Sequence, residues 1–172
     1  MARPVTKSLR LDDLVPEEVA EIVVGAAFNQ FRLLVDALGP AVAVAESRHA
    51  VEESPLWQAA VRLTVFAQSG ELDDAWECEV DAVPDIDEIS RLFHGRAGAA
   101  LQPAVALVLE AAQARVSLEL GDGVDAVQLA ALADLSPQQV RLLARQGALK
   151  LKAGTASAAQ AKRWLEARGV AV

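Results

Sequence analysis

The sequence predicts an all-α protein, with a helical N-terminal region over residues 11–120 followed by a small module of short helices at 121–172. Three observations lead there. Apolar residues make up 53% of the 172, with only seven aromatics and no Tyr, a composition suited to a tightly packed aliphatic core. Long segments carry apolar residues at helical spacing, opened by Pro and closed by Gly. Near the C-terminus, two short amphipathic stretches flank a tight corner.

Residues 1–10, "MARPVTKSLR", hold three basic residues and no acid and are expected to form a mobile arm. The first long helix starts at Pro16, with Glu17, Glu18 and Glu21 where the helix dipole favours anions, and runs to about Leu38. Val19, Ile22, Val23, Phe28, Phe31, Leu34, Val35 and Leu38 make an apolar surface wider than one stripe. The segment "AVAVAESRHAVEES" fits a short helix or a strand, with helix preferred. A second helix opens on Ser54 as cap and Pro55 in the first turn, with Leu56, Trp57, Ala60, Val61 and Val65 on one side. Acid alternates with apolar from Trp76 to Asp81, which allows a short strand or a helix. "PDIDEISRLFHG" predicts a short helix ending at His94 and Gly95. "QPAVALVLEAAQARVSLEL" predicts a third long helix from Pro103 to the "GDG" of residues 121–123, where the module boundary is expected.

The formal charge of −8 is unevenly spread. Residues 1–121 hold nine Lys or Arg against twenty Asp or Glu, net −11, whereas residues 122–172 hold seven against four, net +3. Such asymmetry between halves of a chain points toward nucleic-acid contact in the basic part. The acidic part then has another task, dimerisation or effector binding.

The basic part contains "LAALADLSPQQVRLLARQGAL", residues 129–149. Val127, Leu129, Ala130, Leu132 and Ala133 give a short amphipathic helix, and Leu135 follows the corner as an apolar anchor. Ser136, Pro137 and Gln139 match a capping box that starts a second helix. There, Val140, Leu143 and Ala144 face the first helix, while Gln138, Arg141 and Arg145 share a polar, basic face. Gln pairs bidentately with adenine and Arg with guanine or phosphate, so this face suits the major groove. After Gly147, a helix-ending residue, "ALKLKAGTAS" alternates Leu149 and Leu151 with Lys150 and Lys152, the pattern of a small wing against the phosphate backbone. A closing helix, "SAAQAKRWLEARG", packs Ala161, Trp164 and Leu165 inward and leaves Lys162, Arg163 and Arg168 in water.

On these residues, 124–169, the sequence resembles the helix-turn-helix families of bacterial regulators, and most of all the MerR- and excisionase-type winged helices. The resemblance implies that the first helix supports and the second enters the major groove of double-stranded DNA. It makes Ser136, Gln138, Gln139, Arg141 and Arg145 the reading positions, with Lys150 and Lys152 on the wing. Asp134 stands where such turns usually have Gly, and tolerates a left-handed backbone. Outward-facing Leu142 suits a thymine methyl or a protein partner.

The expected function is sequence-specific DNA binding by a homodimeric transcriptional regulator, dimerised through helix 16–38 or 102–119. The alternative is a protein-interaction adaptor, antitoxin-like or scaffolding, that uses the same module on a protein. No enzyme, cofactor or metal is expected. His49 and His94 are isolated, Cys78 has no basic neighbour to activate it, and the acidic run of 71–88 lacks a calcium-loop pattern and reads as a solvated face. The single Cys forms no internal disulfide, which fits a reducing cytoplasm. The uncharged stretch Ile22 to Phe31 is shorter than the roughly 20 residues of a membrane span.

Overall fold

The computed structural model describes residues 9–38, 51–71, 81–94 and 102–172. It is mainly helical. Helix α1 spans Pro16–Leu38 and α2 spans Pro55–Ser69. Helix α3 spans Val83–His94 and α4 spans Pro103–Leu120. The short helices α5, Ala126–Leu132, and α6, Pro137–Arg145, follow, and α7, Ala158–Glu166, closes the chain. Two two-residue strands, β1 at Val124–Asp125 and β2 at Thr155–Ala156, pair antiparallel, with Val124 opposite Ala156. Among the described residues no helix is long and apolar enough to cross a membrane.

The starts of the long helices follow from local chemistry. Pro16 begins α1 with Glu17 and Glu18 in its first turn, where the unsatisfied N–H groups favour anions. Val19, Ala20, Val23, Val24 and Ala26 of α1 are buried. Ser54 caps α2, its Oγ accepting from the Trp57 N–H at 3.2 Å, and Gly70 ends that helix at φ 76°. Ahead of α1, a 3₁₀ turn at Leu11–Asp13 is tied down: Leu11 is buried, and Gln68 Nε2 donates to the Leu11 and Leu14 carbonyls at 3.0 and 2.8 Å. Within α3, Ile86 and Ile89 face the core, and Gln30 of α1 donates to the Leu92 carbonyl.

One expectation for α2 is corrected. Val65 is 44% exposed, and the buried stripe runs through Trp57, Ala60, Leu63, Thr64 and Ala67. Thr64 can occupy a buried position because its hydroxyl donates to the Ala60 carbonyl of its own helix at 2.8 Å, which satisfies that hydroxyl within the helix. Of the segments read as strand or helix, 41–54 and 76–81, residues 51, 52 and 81 are helical, and the parts up to 50 and 80 lie outside the described residues, as do residues 1–8 of the arm, His49 and Cys78.

Helix α4 is the axis of the fold. It packs on α1, α2 and α3 and also on α5, α7 and β1. Val105, Val108, Leu109, Ala111, Ala112, Ala114, Val116 and Leu118 are all buried. Its apolar excess, assigned from sequence to dimerisation, is thus covered within the chain. One buried cluster runs from Val19 and Leu63 through Leu109 to Leu129, Val140 and Trp164.

Arg115, also on α4, is buried, and among the described residues it pairs with backbone carbonyls. Its Nε and Nη2 donate to the Ala67 and Gln68 carbonyls of α2 at 2.7 and 2.8 Å, and its Nη1 to the Ala171 carbonyl at 2.9 Å. The guanidinium therefore caps the negative end of α2 and fastens the last residues to it. Burial lowers its pKa to about 10, and the Asp12 charge opposes that shift.

Candidate nucleic-acid interface

The site is built on α5, the corner after it, α6 and the hairpin that leads to β2. Asp125 caps α5, its Oδ1 accepting from the Val127 and Gln128 N–H groups at 2.7 and 3.0 Å, while Gln128 Oε1 accepts from the Asp125 N–H at 2.9 Å. Leu129 through Leu132 are buried. The corner is closed by Asp134 at φ 52°, with the Leu135 N–H donating to the Ala130 carbonyl at 3.0 Å. A left-handed residue in this place satisfies the last helical carbonyls, and the short polar Asp side chain adopts it more readily than most.

Helix α6 is specified at both ends. Ser136 Oγ accepts from the Gln139 N–H at 3.2 Å and Gln139 Oε1 accepts from the Ser136 N–H at 2.7 Å. At the other end, Gly147 is at φ 85° and the Ala148 N–H donates to the Leu143 carbonyl at 3.0 Å. Between these caps Val140 is fully buried, while Leu143 and Ala144 pack partly against the core. Gln138, Arg141, Leu142 and Arg145 are exposed.

Beyond α6, Leu149 is buried and Lys150 and Lys152 are exposed. Lys152 and Thr155 exchange backbone hydrogen bonds of 2.8 and 3.1 Å around Ala153 and Gly154, at φ 50° and 92°. Two positive φ values in a two-residue loop match the twist of a tight hairpin. The hairpin tip, the start of α5 and α6 border a groove of about 370 Å³ lined by Asp125, Val127, Arg141, Leu151, Gly154 and Thr155. A second cleft of about 330 Å³ is lined by Lys150, Gln160, Arg163 and Trp164. Trp164 is buried, as are Ala161 and Leu165, and the Arg168 guanidinium carbon sits 4.5 Å from the Trp164 ring centroid. Lys162, expected in water, is half-buried, because it lines a small pocket with Arg115, Glu119 and Val172.

All seven residues nominated from sequence, Ser136, Gln138, Gln139, Arg141, Arg145, Lys150 and Lys152, are solvent-exposed. They divide into groups. Ser136 and Gln139 use their side-chain oxygens on the α6 cap. Gln138, Arg141 and Arg145 stand on the exposed face of α6, and Arg141 opens onto the groove beside the hairpin. Lys150 opens onto the other cleft, with Arg163. The Asp125–Gln128 box, absent from the sequence reading of this helix, is encoded as D-x-x-Q directly ahead of it. Behind the module, Glu110 of α4 is half-buried and its carboxyl is raised above the usual range, by desolvation first and the Asp125 charge second.

Among the described residues no group of three or more His, Cys, Asp or Glu comes together. Comparison of the chain with family models, with curated proteins and with solved structures found no match.

Proposed function

We propose that residues 124–169 are a winged helix-turn-helix that binds double-stranded DNA, with α6 in the major groove and the hairpin against the phosphate backbone. The chain is a sequence-specific transcriptional regulator that works as a homodimer. The observation that carries this reading is the division of α6: Val140 is sunk in the core, while Gln138, Arg141 and Arg145 are exposed on a helix capped at both ends. Capping holds the helix in register without using those three side chains, so their donors and acceptors remain for base edges and phosphates. The charge distribution agrees, since the module is basic and the larger region acidic. A homodimer supplies the second half-site that one short reading helix needs.

The full chain, titrated against a fluorescent mixed-sequence duplex, tests the reading. Binding should be measurable at low salt and weaken steeply as salt rises, with a log–log slope of about −0.9 per phosphate contact. Light scattering should give twice the 18.2 kDa chain mass. Silence toward DNA at low salt, from a folded protein, overturns it.

One observation favours a second reading. Leu142 is 53% exposed on α6 and Val127 is 36% exposed on α5, and apolar groups so placed suit a protein partner. On that adaptor reading the duplex titration is flat, and a Leu142→Asp change abolishes partner binding.

A further inference from the structure

The cations of this protein divide by whether they are partnered. In the larger region Arg62 pairs with Asp85 and Arg91 with Asp87, Arg10 reaches across to Asp134, and Arg115 donates to three carbonyls. Lys150 and Arg163 are exposed, and among the described residues neither side chain has a hydrogen bond or an ion pair. Glu166 stands three residues beyond Arg163 on α7, a spacing at which helical ion pairs form, yet the two are not paired. Both cations instead line the cleft of about 330 Å³ between the chain that follows α6 and α7. Its walls also include the Gln160 amide and the apolar Ala148 and Trp164, and among the described residues no acid lines it. Arg168, stacked on the Trp164 ring at 4.5 Å, adds a third positive charge nearby.

We infer that this cleft binds a phosphate ester, with Lys150 and Arg163 on the phosphate and the apolar wall against the carbon skeleton that carries it. A cleft lined by one sign of charge beside low-dielectric walls focuses the potential and concentrates the opposite ion. The guanidinium fork of Arg163 matches two phosphate oxygens, and the Lys150 ammonium is a point charge that can meet another from the second wall. A tetrahedral phosphate can be held from two elements at once in this way, whereas a planar carboxylate is satisfied by a single fork. The volume exceeds what a phosphate group needs and lies at the lower end of small-molecule clefts, roughly 300–1,000 Å³, so the group arrives with a body attached. That ester has two sources. As a backbone phosphodiester of the DNA proposed above, the inference rests on that reading and makes α7 a further phosphate contact. As a free mononucleotide-like ester, it stands by itself.

The test titrates the full chain with two probes, the mixed-sequence duplex by fluorescence and adenosine 5′-monophosphate by calorimetry. The parent is compared with Arg163→Gln, with Lys150→Gln and with Arg91→Gln, an equal charge loss on α3 outside the cleft. Arg163→Lys keeps the charge and should recover most of what Arg163→Gln loses, which separates a binding defect from a folding one. If the ester is DNA backbone, Arg163→Gln lowers the salt slope by about 0.9, and the parent's advantage over it shrinks roughly threefold between 50 and 200 mM salt. If the ester is free, the mononucleotide binds the parent and loses roughly tenfold in affinity with either Arg163→Gln or Lys150→Gln, while Arg163→Gln leaves duplex binding unchanged. Arg163→Gln behaving as the parent toward both probes, or Arg91→Gln losing as much, overturns the cleft and leaves the DNA reading intact. A parent that ignores the duplex but binds the mononucleotide through Arg163 and Lys150 overturns the DNA reading and keeps the cleft. A parent that binds neither probe overturns both.

Discussion

Helix α4 buries side chains around most of its circumference, whereas α6 fully buries one, Val140. The two belong to the same core and are held in opposite ways. Helix α4 rests on apolar area removed from water, at roughly 25 cal/mol per Å², and although Gly121 closes its end, Gln102 at its start makes no side-chain cap bond. Helix α6 is nine residues long, too short to persist by itself, and relies on a reciprocal cap, a left-handed Gly147 and one buried valine. A helix held by burial has few side chains left for anything else. A helix held by its ends leaves its surface available for recognition, and this is why the candidate interface falls on the less buried element.

That contrast breaks first at the residue holding the module together. Trp164→Ala should cost about 3–5 kcal/mol through an unfilled cavity, seen as a large drop in the thermal midpoint, with DNA binding lost only because the module unfolds. A variant that keeps the parent's stability would mean that Trp164 does not contribute to the buried cluster it sits in. Next comes Arg115→Ala, which strips the donor from three carbonyls and leaves a void, for about 2–4 kcal/mol. Urea unfolding of this variant should begin at the end of α2 and in the last residues, while α6 retains its protection against hydrogen exchange.

Arg141→Ala sharpens the comparison from the other side. Its exposed side chain should contribute within about 0.5 kcal/mol to stability, yet its loss should weaken DNA affinity by roughly 1–3 kcal/mol if it reads a base. A matched titration and melt separate the two effects, and a stability loss without an affinity loss would put Arg141 in the structural class with Val140. The smallest effect concerns α4. Because the Glu110 carboxyl is raised in the folded protein, its ionised form is disfavoured there. The penalty is absent below the ordinary carboxylate range, grows as pH rises toward the raised value, and is complete above it. Glu110→Gln should therefore raise the thermal midpoint slightly at neutral pH and leave it unchanged in acid; equal shifts at both would point to packing instead.

Local signals made much of this legible in the sequence. Pro16, Ser54 with Pro55, and Pro103 mark helix starts that the structure keeps, and the "GDG" turn ends α4 with Gly121 at φ 80°. The corner was legible because Ser136, Pro137 and Gln139 encode a cap within four residues, and because Asp134 is one of the few non-glycine residues suited to its backbone. What failed to show was tertiary. Thr64 is buried where the apolar pattern points to Val65, because its intrahelical hydrogen bond carries no apolar signature. The surplus apolar surface of α4 could not be told from an oligomer face until its neighbours were in place. Arg115 gave no hint of Ala67, Gln68 and Ala171, nor Arg10 of Asp134, since each pairing joins residues far apart in the chain through backbone carbonyls or exposed charge with no periodic pattern.

The Arg115 clasp also constrains how this sequence can change over time. A β-carbon on Gly70 would lie 2.2 Å from Arg115 Nη1, at a backbone φ of 76° that side chains resist. Any larger residue at position 70 collides with the guanidinium, and a lone change at 115 leaves the end of α2 and the Ala171 carbonyl without their donor. Neither site can drift alone. Among divergent relatives the two positions should therefore vary as a pair, glycine with arginine, and a side chain at 70 should be accompanied by a shorter residue at 115 and a rebuilt C-terminal end.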